Sequence, residues 1–180
     1  NALAWKYPNS RGAICRRTFR SLKSTVLSSF EEKILGSSFP TPVSAYGGEK
    51  REWYSYPNGS TIYTVGLDNP GKLLSGEFDF IYVNQAEECA LEDWETMISR
   101  TTGRAGHMPY AQLFGDCNPG PSTHWIKQRF ANRLLNSRHE DNPRLFDDDG
   151  KILEQGERTL AALDLLTGVR KQRLMYGLWV

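Results

Sequence analysis

The spacing of apolar residues changes several times along the chain, and each change predicts an element. Ala2 to Trp5 are apolar and suit a helix; Tyr7-Pro8-Asn9-Ser10 breaks the pattern, and Gly12-Ala13-Ile14-Cys15 begins a short apolar strand. From Phe19 the apolar positions recur as Leu22, Val26, Phe30 and Ile34, three or four apart, which predicts an amphipathic helix closed by Gly36-Ser37-Ser38. Between Pro40 and Val65 the signal turns aromatic and β-branched: Trp53, Tyr54 and Tyr56, a Pro57-Asn58-Gly59 turn, then Thr61 to Val65, the pattern of a hairpin or two adjacent strands. Phe78 to Val83 is nearly unbroken in bulky residues, as a strand buried on both faces would be. Leu91, Trp94 and Ile98 return to helical spacing, and Ala111 to Phe114 reads as a strand that must leave the sheet before Pro119. A helix from about Thr123 to Leu135, an exposed loop over His139 to Gly150 and a last helix marked by Leu160, Leu163 and Leu166 complete the expectation.

Strands interleaved with helices predict an α/β fold with a mostly parallel sheet flanked by helices, whose ligands bind at the carboxyl ends of the strands. The chain has 180 residues and is 39% hydrophobic, enough for one continuous core. Its 22 Lys+Arg nearly balance 21 Asp+Glu, which excludes a polyanion binder that works by overall basicity, so any basic surface is local. No apolar run reaches the roughly 18 residues of a membrane span, and the first residues lack a secretory signal's charged and apolar regions. Cys15, Cys89 and Cys117 lie far apart without a C-x-x-C pair, so neither a disulfide framework nor a zinc knuckle is predicted, and a reducing cytosol fits. A start at Asn1 and the apolar ending Gly177-Leu178-Trp179-Val180 suggest part of a longer chain.

Chemistry is expected at two strand ends. The first, Phe78 to Glu88, stops abruptly at Asn84-Gln85-Ala86-Glu87-Glu88. In nucleotide hydrolases an acidic residue at such an edge holds Mg²⁺ and a neighbouring glutamate orients the attacking water; alternatively, Glu87 and Glu88 only favour the positive end of a helix. The second, Phe114-Gly115-Asp116-Cys117-Asn118-Pro119-Gly120, could sense a γ-phosphate through Asn118 or be a plain Asx-Pro turn. Arg100 and Arg104, around Thr101-Thr102-Gly103, are candidates for the cation that stabilises a phosphoryl transition state, or they solvate a loop. Arg16, Arg17, Arg20 and Lys23 form a denser basic group that could meet nucleotide, DNA backbone or a neighbouring subunit, or simply decorate a helix start. Asp147-Asp148-Asp149-Gly150 is not a calcium loop, because Leu145 and Gly156 fall where ligands belong, and His107, His124 and His139 have no metal-ligand spacing.

Taken in order, these stretches resemble the ATPase domain of the large terminase subunit of tailed bacteriophages. The resemblance rests on Arg16-Arg17-Thr18-Phe19 with Leu22 and Ser24, Val65 to Leu73, Phe80 to Glu88, Asp93-Trp94-Glu95 and Arg100 to Arg104. It continues through Gly115 to Gly120 with His124-Trp125-Ile126, and closes on Leu166-Thr167-Gly168, Arg173-Leu174 and Gly177 to Val180. It implies a P-loop NTPase-like fold of the ASCE type, incomplete at its N-terminus, with an ATPase core over residues 1–138 and a C-terminal subdomain over 139–180 leading toward a nuclease domain beyond Val180. The implied activity is ATP hydrolysis with Mg²⁺ that drives double-stranded DNA into the procapsid, in the host cytoplasm and with no membrane contact. The implied partners are DNA, a portal protein, a small terminase subunit and other copies in a ring. Glu87 or Glu88, the former nearer the strand tip, would orient water, with Arg100 and Arg104 as catalytic cations and Asn84, Gln85, Asp116 and Asn118 near nucleotide and metal.

Two departures bear on this. The phosphate-cradling G-x-x-x-x-G-K-[ST] loop occurs nowhere in these residues, and the resemblance places it upstream of Asn1, so ATP binding by this chain alone is expected to be weak or nil. At Asn84-Gln85, where many relatives carry an acidic pair, amides can hold a metal-bound water but carry no charge. The alternative function is therefore a non-catalytic nucleotide- or DNA-binding or assembly module with degenerate motor motifs.

Overall fold

In the computed structural model, which describes all residues from Asn1 to Val180, six strands form one sheet in the order β2-β3-β4-β1-β5-β6. They are β1 (Arg11–Arg16), β2 (Ser44–Tyr46), β3 (Trp53–Ser55), β4 (Thr61–Gly66), β5 (Phe80–Val83) and β6 (Gln112–Gly115). Strand β1 lies between β4 and β5 and runs parallel to both, and β6 runs parallel to β5. The β2–β3 and β3–β4 pairs are antiparallel, the second being the predicted hairpin across Pro57-Asn58-Gly59. Gly59 turns that hairpin with φ 83°, a conformation open to glycine.

The central strands are apolar because both faces are covered. Ile14, Ile62 and Phe80 belong to one buried cluster with Leu22, Leu27 and Phe30, while Ala13, Cys15, Val65, Ile81 and Val83, of the opposite parity, are buried as well. Gly12 is required at the centre: a Cβ there would stand 2.2 Å from the Phe80 ring.

After β1, Thr18 caps α2 (Phe19–Ser21) by accepting from the Ser21 N–H at 3.3 Å. The helix then continues through two π-helical segments, Leu22–Leu27 and Phe30–Leu35. A π turn closes i→i+5 bonds and takes up an extra residue, so the buried stripe drifts off its α-helical spacing. Leu27 and Leu35 are buried; the expected Val26 packs half-buried against the same cluster, whereas Ile34 is 54% exposed. Helix α4 (Leu91–Arg100) forms as expected, its first turn closed by Asp93 accepting from the Ala90 N–H at 3.1 Å, but it buries Met97 beside Trp94 and leaves Ile98 exposed. Two short helices, α1 (Ala2–Lys6) and α3 (Gly71–Leu74), complete this part.

The chain divides into two compact units, Asn1–Cys117 and Asn118–Val180. The second unit holds α5 (Trp125–Phe130), shorter than predicted, and α6 (Glu154–Asp164) and α7 (Gly168–Leu174), the last of which the spacing did not predict. His124 caps α5, its Nδ1 accepting from the Ile126 N–H at 3.2 Å. The predicted exposed loop at 139–150 carries a 3-10 turn and buries Leu145, whose carbonyl packs where a Cβ on Gly156 would stand 2.3 Å away. No helix is long and apolar enough to cross a membrane.

Candidate functional site at the strand tips

Parallel pairing brings three strand ends to one edge of the sheet, since Cys15 faces Val83 and Val83 faces Gly115. Backbone bonds continue the alignment past the strands. Asn84 N–H donates to Cys15 O at 2.8 Å, Asp116 N–H to Val83 O at 3.1 Å, and Ala86 N–H to Asp116 O at 2.8 Å. Gly115 permits the close approach of β6 to β5, because a Cβ there would meet Val83 O at 2.5 Å. Gln85, with φ 49°, reverses the chain into a 3-10 turn over Ala86–Glu88, which sets both glutamates just beyond the tip of β5.

Arg16, the last residue of β1, organises one half of this edge. Its side chain is only 12% exposed, and its guanidinium donates from Nη2 and Nε to Glu88 at 3.2 and 3.4 Å, from Nη1 to Thr25 Oγ1 at 2.8 Å, and to the Gln85 side-chain oxygen. The planar fork of arginine suits a carboxylate approached by two nitrogens. Arg16 is therefore engaged within the site and departs from the exposed basic group expected for DNA or subunit contact. Arg17 and Arg20 are exposed as that group requires, and Lys23 stands 3.7 Å from Glu49.

The other half is built on Asp116. The Tyr82 hydroxyl donates to its Oδ1 at 2.5 Å, and the Asn84 amide donates to Oδ1 and Oδ2 at 3.1 and 3.3 Å. Burial, then the bond to Asp116, pushes the Tyr82 phenol up to about 12, so it remains a protonated donor at neutral pH. Burial and then the charges of Glu87 and Asp116 raise the Cys117 thiol to about 11. Burial followed by Asp93, Glu88 and Glu87 raises Cys89 to about 12. Both thiols stay protonated and are poor nucleophiles. Beside the tips a half-open cavity of about 760 Å³ lies over the apolar residues Ile14, Phe30 and Phe80, with Arg16, Asn84 and Gln85 among its polar lining.

Of the predicted residues, Asn84, Gln85, Glu87, Glu88 and Asp116 share this edge with Arg16. Arg100 and Arg104 do not: the Arg100 carbonyl accepts from the Phe78 N–H at 2.8 Å, before β5 begins, and Arg104 pairs with Glu77 at 2.7 Å. Both therefore lie at the opposite end of the sheet. Asn118 is the first residue of the second unit. No group of three or more His, Cys, Asp or Glu side chains is arranged to hold a metal by itself. Sequence reasoning missed Tyr82 and the inward turn of Arg16; the parity that puts Tyr82 on the Phe80 face, and the place of Arg16 one residue after the Cys15–Val83 pair, were the available signals.

A family model described as phage terminase large subunit matches residues 4–157. No curated protein matches. Among solved structures, the large terminase of a thermophilic bacteriophage matches with a TM-score of 0.75 and 15% identity over 98% of this chain and 42% of that one. The same terminase in complex with ADP matches with 0.75 and 16% over the same shares. The ATPase domain of the Thermus phage P74-26 large terminase matches with 0.57 and 15%, over 96% of this chain and 78% of that one. The chain thus spans about two fifths of the length of the first of these terminases, and at these identities what it shares with them is the fold, a mostly parallel sheet flanked by helices.

Proposed function

Because the chain belongs to the phage terminase large subunit family, we propose that it forms part of an ATP-hydrolysing motor that packages double-stranded DNA, with its nucleotide chemistry at the tips of β1, β5 and β6. The observation that carries this reading is the convergence there of an arginine-held glutamate and an exposed aspartate, each just past the end of one of two adjacent parallel strands. Ligands of open parallel sheets bind at that edge. The complexes of the thermophilic bacteriophage terminase with ADP and with ATP-gamma-S support the choice of nucleotide.

In this reading Glu88 orients the attacking water and accepts its proton, and Arg16 fixes the Glu88 carboxylate. Glu87, in the same 3-10 turn, is the alternative for that role. Mg²⁺ would be held by the Asp116 carboxylate, which Asn84 positions, and would neutralise charge on the transferred phosphoryl group. Asn118 is proposed to report the γ-phosphate. Arg100 and Arg104, at the far end of the sheet, are proposed to serve a neighbouring copy's nucleotide in a ring. Arg17, Arg20 and Lys23 are proposed to meet DNA backbone or a neighbouring copy. A portal protein and a small terminase subunit in the host cytoplasm complete the proposed setting.

The amide pair Asn84-Gln85 favours the second reading, a module that binds nucleotide or DNA without hydrolysis. The two are separated by Glu88→Gln and Glu87→Gln in the terminase large subunit carrying this chain. The motor reading expects ATP turnover to fall at least about tenfold in one of them, as loss of a positioned proton acceptor does; unchanged turnover in both would remove it.

A further inference from the structure

A metal-bound triphosphate needs anionic charge where the strand tips meet the cation, yet Asn84 and Gln85 bring none to the tip of β5. We propose that Asp116, on the neighbouring tip of β6, supplies that charge, with Tyr82 and Asn84 as the neutral residues that position the carboxylate. The proposal deepens the reading of this edge as a nucleotide site and rests on it.

Asp116 is fixed in two ways. Its backbone is tied on both sides to β5 and the turn after it, through Val83 O and Ala86 N–H, so the residue cannot move independently of the β5 tip. Its carboxylate is held by the Tyr82 hydroxyl at 2.5 Å and by the Asn84 amide at 3.1 and 3.3 Å. These donors are neutral, and the nearby guanidinium of Arg16 is spent on Glu88, Gln85 and Thr25, so the negative charge of Asp116 is not cancelled by an ion pair. Each carboxylate oxygen offers about two lone-pair sites. Oδ1 receives both Tyr82 and Asn84, whereas Oδ2 receives only the longer Asn84 bond and keeps capacity for a cation.

Asp116 is exposed, which admits a hydrated ion. The lack of a three-residue metal cluster agrees with this chemistry, because Mg²⁺ keeps several waters and is commonly held by one or two carboxylates together with substrate phosphates. Asp116 stands one strand to the side of Asn84, just past the Val83–Gly115 pair, at the same edge of the sheet. A purely structural role, tying two strand tips together, predicts the same hydrogen bonds but no dependence of metal binding on where the carboxylate stands.

Mn²⁺ titrated into the isotope-labelled chain tests this by the broadening of backbone amide signals. The expected result is selective broadening at residues 84–88 and 115–117, loss of affinity by at least about tenfold in Asp116→Asn, and recovery to within a few-fold in the double variant Asp116→Asn with Asn84→Asp. Tyr82→Phe, which keeps the carboxylate, should weaken binding by about tenfold, the scale of removing an outer-sphere partner of a metal ligand. Should Asp116→Asn not fold, the Tyr82→Phe titration decides. Broadening elsewhere, undiminished binding in Asp116→Asn, no recovery in a folded double variant, or an unshifted titration in Tyr82→Phe would overturn the proposal. These results are independent of turnover in the Glu87 and Glu88 variants, so failure here and failure of the hydrolase reading are distinguishable.

Discussion

The two ends of the parallel strands both gather charged side chains, but they hold them differently. At the end where β5 begins, Asp79 is fully buried and its carboxylate accepts from two backbone groups, Arg11 N–H at 2.8 Å and Gly106 N–H at 3.2 Å. The neighbouring Arg11 guanidinium lies over the Tyr63 ring, 4.6 Å from its centroid. At the end where β1, β5 and β6 finish, Arg16 holds Glu88, and Tyr82 and Asn84 hold Asp116, side chain to side chain and partly open to solvent. A carboxylate that ties down backbone cannot be released without unravelling a loop. One held by another side chain can exchange partners at the cost of a rotamer. The first arrangement builds structure, and the second suits a site that meets a ligand.

The largest effect that distinguishes the ends is expected at Asp79. Asp79→Ala orphans two half-buried donors and leaves a cavity at a buried position, and should lower stability by about 2–4 kcal/mol, read from urea unfolding; a loss below about 0.5 kcal/mol would remove the structural role. Arg16→Met should cost less, about 1–2 kcal/mol, because Glu88 is more than a third exposed and water screens the charge left behind. A loss as large as that of Asp79→Ala would erase the contrast. At neutral pH the smallest effect is at Tyr82, whose titration changes stability only in alkali. Tyr82 is held near 12 against an ordinary value near 10, so the folded state keeps its proton longer than the unfolded state. Its contribution is complete below pH 10 and is lost as pH rises from 10 toward 12. Tyr82→Phe should flatten the fall of stability across that window, and an unaltered slope would contradict the phenol's place beside Asp116.

Much of this was legible in the residues. Bulky unbroken runs marked β5, the Pro57-Asn58-Gly59 turn marked the β3–β4 hairpin, and polar breaks after Val83 and Phe114 marked the two tips that pair side by side. What escaped has physical causes. The α-helical period misplaced Ile34 because π turns shift the stripe, which the spacing of apolar residues does not encode. Strand β2 is three residues long with Tyr46 exposed, too short to show alternation. Arg16 looked like its exposed neighbours Arg17 and Arg20 because composition does not tell which basic residue turns inward. That choice follows from strand order, since β1 ends beside β5 and nearest Glu88.

Amide hydrogen exchange on the terminase large subunit carrying this chain, compared with and without Mg²⁺ and ATP-gamma-S, tests the division between the two ends most directly. The account predicts added protection at residues 84–88 and 115–117 and no change at residues 79 and 106. Protection confined to the Asp79 end, or none at the strand tips under saturating nucleotide, would contradict it.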